Sequence, residues 1–149
     1  MLKGIDHRLN ADVLGTLRAM GHGDYLIVSD TNFPADTIAQ QTTLGYLLRM
    51  ENLTAAEAIN AILSVMPLDT FVDDFAGRMR VGDDPADIPA VQQEVIAEVK
   101  ATGEARAMED VERFAFYDLA KGAYAVIQTG ERRFYGCFML RKGVIPPEQ

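Results

Sequence analysis

The sequence predicts an α/β fold: a layered single domain spanning residues 1–149, with a mixed β-sheet flanked by helices. Three observations lead there. Short runs of β-forming apolar residues alternate with stretches whose apolar positions recur at helical spacing, as in layered α/β domains. A chain of 149 residues suits one core, because a domain of that size buries most of its surface on folding. Two late apolar runs, 123–127 and 135–140, are joined through the turn Thr129-Gly130-Glu131. Some antiparallel pairing is therefore expected, which makes the sheet mixed.

The first helix is read from Asn10 to Met20. Asn10 is a good N-cap, Asp12 and Arg18 suit the two ends of the helix dipole, and Val13, Leu14, Leu17 and Met20 form the apolar stripe. Gly21 is expected to close it in a left-handed conformation. Tyr25-Leu26-Ile27-Val28 reads as a buried strand, followed by a loop over Ser29 to Pro34. The stretch from Asp36 to Met50 fits no single period. Thr54 with Glu57 is a capping-box signature, Ala58, Ile59, Ile62 and Leu63 carry a helix, and Pro67 stops it. Phe75 to Val81 alternates weakly, as a strand would, and Gly82 to Pro85 is a loop. Pro89 suits a first helical turn, with Val91, Val95, Ile96 and Val99 facing inward and Gly103 beyond the end. Arg113 to Lys121 reads as a short helix capped by Gly122.

Composition removes several classes of function. Lys plus Arg number 14 and Asp plus Glu 22, a net charge of −8. A phosphate backbone or an anionic membrane surface would be repelled, so neither nucleic acid nor membrane is an expected partner. A lone cysteine, Cys137, cannot form an internal disulfide, which fits a reducing, cytoplasmic compartment. No apolar run approaches the ~20 residues a membrane helix needs, and the first residues lack a signal-peptide pattern.

Candidate chemistry begins at Gly21-His22-Gly23-Asp24. Flanking glycines leave the imidazole little steric cover and free it to face a ligand. The bland alternative is a helix cap and turn with an incidental histidine. This is no dinucleotide fingerprint, since the glycines precede a strand instead of following one. The two histidines, His7 and His22, lack metal-ligand spacing, and Asp73-Asp74 and Asp83-Asp84 lack a calcium-loop pattern. Neither metal nor cofactor is expected. Ser29 lies near His22 and Asp30 but without a nucleophile-elbow context. Arg113-Phe114-Ala115-Phe116-Tyr117 is either a helix with Phe114 and Phe116 in the core, or a binding wall that pairs a fixed cation with aromatic faces. Tyr135-Gly136-Cys137 is either a strand start or a phenol and two amides placed at a cleft.

Together these pieces resemble the L-fucose mutarotase and D-ribose pyranase family. The stretches that carry the resemblance are Met20 to Asp24, Ser29-Asp30 with Phe33-Pro34, Arg113 to Tyr117, Thr129 to Glu131 with Tyr135-Gly136, and Leu140 to Val144, in the family's order. Arginine before Phe-Ala-Phe-Tyr is similar to the fucose branch. The resemblance implies a cofactor-free isomerase that interconverts the α and β anomers of a free monosaccharide, L-fucose or a related sugar. It implies His22 as the catalytic proton donor, and Asp30, Arg113, Tyr135, Gly136 and Cys137 as the sugar-binding positions. It also implies a homo-oligomeric ring, in the family often paired into decamers, with sites completed by neighbouring subunits. Asn32 and Cys137 depart from the family pattern, where histidine and asparagine are usual. They motivate the alternative of a non-catalytic monosaccharide-binding or regulatory module with the same pocket.

Overall fold

The structure is a computed structural model that describes residues 1–148. Eleven elements follow one another as α1 (Ala11–Ala19), β1 (Tyr25–Ser29), α2 (Ala35–Ala39), β2 (Leu48–Met50), α3 (Ala55–Leu63), β3 (Ala76–Met79), α4 (Ala90–Ala101), β4 (Glu109–Val111), α5 (Arg113–Lys121), β5 (Ala125–Thr129) and β6 (Phe138–Arg141). The strands form one six-stranded sheet in the order β2-β5-β1-β6-β3-β4. The β1–β5, β2–β5 and β3–β4 pairs are parallel, and β6 runs antiparallel to both β1 and β3. The mixed, helix-flanked sheet agrees with the sequence reading. The expected pairing of the two last strands does not occur: β1 lies between β5 and β6, and the antiparallel partners of β6 are β1 and β3. The turn at Gly130 therefore opens a loop that carries the chain past β1.

The local signals act as their chemistry requires. The Asn10 side chain accepts the Val13 N–H at 3.0 Å, and Thr54 and Glu57 exchange both bonds of the capping box. Glu112 caps α5 by accepting the N–H groups of Phe114 and Ala115. Gly21 does not close α1 in the left-handed region: Met20 follows the helix in extended conformation, and Gly23 is the residue with φ +86°. The unassigned stretch from Asp36 to Met50 holds α2 and β2. β4 has no signature in the sequence, because Glu109 and Asp110 are poor strand formers. It forms at the sheet edge, where charged residues are tolerated, beside Gly77, at which a Cβ would come within 3.3 Å of the Val111 side chain.

Alternate residues of the central strands feed two cores. Leu26, Val28, Ile127, Phe138 and Leu140 pack under α1, α3 and α4 with Val13, Ile59, Ile62 and Val95. Ile27, Val126 and Met139 pack under α2 and α5 with Ile38, Phe116 and Ala120. Both faces of β1 are covered, which is why its sequence is an uninterrupted apolar run. Phe114 is not a core residue. It is 66% exposed while Phe116 is fully buried, since positions two apart on a helix point to opposite sides.

Candidate functional site

The chain end of β1 opens onto a cavity of about 360 Å³, lined by Asp30, Asn32, Phe33, Arg113, Tyr117, Tyr135 and Cys137 among others. That volume lies in the range of small-molecule sites. Asp30 forms its floor. One carboxylate oxygen accepts the backbone N–H of Asn32 at 2.9 Å and of Phe33 at 3.0 Å, and the other accepts the Gly136 N–H at 3.1 Å. This one buried carboxyl group ties the loop after β1 to the loop before β6. Gly136 must be glycine, because a Cβ there would meet the Glu131 side chain at 2.8 Å and Asp30 at 3.3 Å.

Among the described residues, Tyr135 is the non-glycine residue with positive φ, +62°, a conformation that persists only when its surroundings over-determine it. The restraint comes from Gln92 on α4, a fully buried side chain. Its amide nitrogen donates to the Tyr135 carbonyl at 3.0 Å and to the Met79 carbonyl at 2.7 Å, and its oxygen accepts from Arg78 at 3.1 Å. Sequence reasoning missed Gln92 as part of the site. Its signal is a polar residue within an otherwise apolar helix face.

The opposite wall belongs to α5. Arg113 donates through Nε to the Tyr117 hydroxyl at 3.1 Å and lies over the Phe114 and Tyr117 rings. The guanidinium is exposed and fixed in charge, and its remaining N–H groups are free to meet hydroxyls. Cys137 is 2% exposed and packs with Met79, Phe116 and Met139 while bordering the cavity. Burial pushes its thiol well above the ordinary range, and the neighbouring Asp30 charge adds to the shift, so it presents a neutral, weakly polar surface. Ser29 is buried and its Oγ has no partner among the described residues, so none of them stands beside it as a base.

His22 stands apart from this cavity. It precedes β1 whereas Asp30 follows it, and five strand residues span about 16 Å. Its ring lies beside Asp69 and Phe71, on the segment after α3. Nε2 is 3.1 Å from Asp69 Oδ1, and the Phe71 ring meets the imidazole edge-on at 5.2 Å. Of the six residues singled out in the sequence, Asp30, Arg113, Tyr135 and Cys137 line one cavity, Gly136 is bonded to Asp30 behind its lining, and His22 sits at the far end of the same strand. Asp69 was not singled out, because a lone aspartate between Leu68 and Thr70 carries no pattern. Among the described residues no group of three or more His, Cys, Asp or Glu side chains could hold a metal ion.

Known proteins match the chain almost end to end. The family described as the RbsD / FucU transport protein family matches residues 3–145. The L-fucose mutarotase of Glaesserella parasuis serovar 5 is 39% identical, over 98% of this chain and 97% of its own. A solved structure provisionally described as that of a sugar binding protein is 58% identical, with a TM-score of 0.95 over 98% of this chain and 97% of its own. The fucose mutarotase of Streptococcus pneumoniae, solved in complex with L-fucose, is 33% identical, with a TM-score of 0.87 over 97% of this chain and all of its own.

Proposed function

The chain belongs to the RbsD / FucU family, and from that premise we propose that it is a sugar isomerase, a mutarotase that interconverts the α and β anomers of L-fucose or a closely related free sugar. The observation that carries this reading is the full-length likeness to fucose mutarotases, together with a monosaccharide-sized cavity offering hydroxyl partners beside aromatic walls.

Mutarotation needs a proton removed from the anomeric hydroxyl and one delivered to the ring oxygen as the C1–O bond opens. The resulting aldehyde turns about C1–C2 and closes on its other face. General acid–base help of this kind is worth about 10²–10⁴-fold, and imidazole, with an ordinary pKa of about 6.5, suits it at working pH. His22 is proposed as the proton-transfer residue. Asp30, Arg113, Tyr135, Gly136 and Cys137 are proposed to hold the sugar, with Asp30 accepting from and Arg113 donating to its hydroxyls.

His22 and the cavity lie at opposite ends of β1, so one copy of the chain does not bring them together. We propose that a neighbouring copy in a homo-oligomeric ring, stacked as a decamer, supplies the missing half. Exposed aromatics support this reading. Phe71 beside His22 is 69% exposed, and Phe134 at the cavity rim is 74% exposed, apolar surface that a neighbouring copy would cover. The whole chain is proposed to act as one domain. No helix is long and apolar enough to cross a membrane; a cytoplasmic location is proposed from the single unpaired cysteine.

Saturation-transfer NMR on L-fucose, D-ribose and D-galactose tests the activity. Accelerated anomer exchange of L-fucose is the expected result. Binding without acceleration would replace the mutarotase with a sugar-binding module. Light scattering tests the assembly, and a fully active species of 16.4 kDa would refute the shared site.

A further inference from the structure

The two nitrogens of the His22 ring have different surroundings. Nε2 lies 3.1 Å from Oδ1 of Asp69, a buried carboxylate, and the same oxygen accepts the Phe71 backbone N–H at 3.0 Å. Nδ1 has no hydrogen-bond partner among the described residues, and the side chain is 42% exposed. Burial pushes the Asp69 carboxyl up, but the Phe71 N–H, the His22 ring and the Arg141 cation outweigh it and hold it below its ordinary value. Asp69 is thus an anion at neutral pH, and an anion only accepts. The nitrogen facing it must carry the proton.

The carboxylate is itself held rigidly. The Asp69 N–H donates to the Arg141 carbonyl at 3.0 Å, and Arg106 donates to the Asp69 carbonyl at 3.1 Å. Gly143 packs so tightly on this segment that a Cβ would overlap the Leu68 carbonyl. Such support is more than a surface turn needs, and it fixes the direction of one carboxylate oxygen.

Resting on the mutarotase reading, we infer that Asp69 is the positioning residue for His22: it locks the neutral ring as the Nε2–H tautomer and makes Nδ1 the atom that exchanges protons with the sugar. In ring opening the proton on Nδ1 of the charged imidazole passes to the ring oxygen. The electron pair of the breaking C1–O bond goes to that oxygen. The anomeric hydroxyl gives its proton to water, and C1 becomes an aldehyde. Closure runs in reverse and returns the proton to Nδ1. Asp69 stays ionised throughout and faces the ring whenever it is charged. It touches His22 and not the sugar, so its effect belongs to kcat.

The test uses the full-length protein with ¹⁵N-labelled histidine, and the variants D69N and D69A. Asparagine has the same shape but no charge, and it can turn its amide NH2 toward the ring, so D69N removes the obligate acceptor that imposes the Nε2–H tautomer. D69N is expected to lose about 10–100-fold in kcat for L-fucose exchange, with KM changed less than about twofold. The wild-type ¹⁵N spectrum should show neutral His22 protonated at Nε2 and bare at Nδ1, and D69A should give the averaged shifts of mixed tautomers. A bare Nε2 in the wild type, a wild-type kcat in D69N, or a loss confined to KM would overturn the inference. Failure of the wild-type protein to accelerate exchange would instead remove the mutarotase reading, while the ¹⁵N spectra still judge the Asp69–His22 lock.

Discussion

Replacing Gln92 with leucine should damage the sugar cavity from behind. Gln92 touches no part of the cavity surface, yet its amide holds the Tyr135 and Met79 carbonyls and takes a hydrogen bond from Arg78. Leucine fills much of the same space and makes none of these bonds. Two carbonyls and one guanidinium N–H then lose their partners in a region where Arg78 is 6% exposed and position 92 fully buried. An orphaned buried polar group costs about 1–3 kcal/mol. Tyr135 remains partly solvated, so the total is about 3–5 kcal/mol, in the upper tail for single substitutions. For a chain of this size that corresponds to about 10–15 °C in Tm. The functional effect is separate. Without Gln92 the left-handed Tyr135 loses a main restraint and relaxes, taking the Gly136 N–H away from Asp30. Urea unfolding measures the first effect and the KM for L-fucose the second, with several-fold weakening expected. A Tm within about 2 °C of wild type, with KM unchanged, would refute the reasoning that links α4 to the sugar site.

His22→Gln should retain the fold, since the ring is exposed, and lose most accelerated exchange; wild-type rates near neutral pH would remove His22 from the mechanism. Glu131 should govern acid stability. The Arg133 guanidinium beside it opposes the effect of burial, and with the Arg133 and Ala55 backbone N–H groups it lowers the carboxyl from 4.5 to about 2. Its contribution, about 3 kcal/mol, is complete above pH 4.5 and lost as pH falls toward 2. Glu131→Gln should flatten the stability profile in that window, and an unchanged profile would contradict the assignment. Cys137→Asn should lower the L-fucose KM by roughly tenfold, because an amide at the cavity edge supplies a hydrogen bond that a thiol makes poorly, worth about 1–3 kcal/mol. A lower Tm with no gain in exchange would show that this side chain belongs to the core alone.

Much of the architecture was legible because its signals are local. Asn10, the Thr54–Glu57 pair and Pro89 set three helix starts, and the apolar run at Leu26 announced a strand covered on both faces. What escaped depends on distant partners. β4 exists because Gly77 lets Val111 approach, and no propensity in Glu109-Asp110 foretells it. The pairing of β6 departs from expectation because a turn at Gly130 looks like a hairpin from sequence, while the register is decided by β1, more than a hundred positions away. At the candidate site, Asp30, Arg113 and Tyr135 were recognisable from motifs that include them. Gln92 and Asp69 were not, since a buried glutamine on a helix and a loop aspartate gain meaning only from the atoms they face.

The placement of β6 has a consequence for how the protein is made. On the growing chain β1, β2 and β5 can join on one side and β3 with β4 on the other, but the two groups share no edge until residues 138–141 leave the ribosome and slot between them. The pairing of Leu26 with Leu140 closes a very long loop, an entropically late event. Until then two raw sheet edges stay open to mispairing, a hazard for nascent chains. The same strand is flanked by Tyr135-Gly136-Cys137 at one end and by Lys142 at the other, whose carbonyl accepts the Gly23 N–H beside His22 at 2.9 Å. Insertion of this keystone therefore completes the sheet and both half-sites in one event, and a polypeptide interrupted before it would lack catalytic competence as well as a fold.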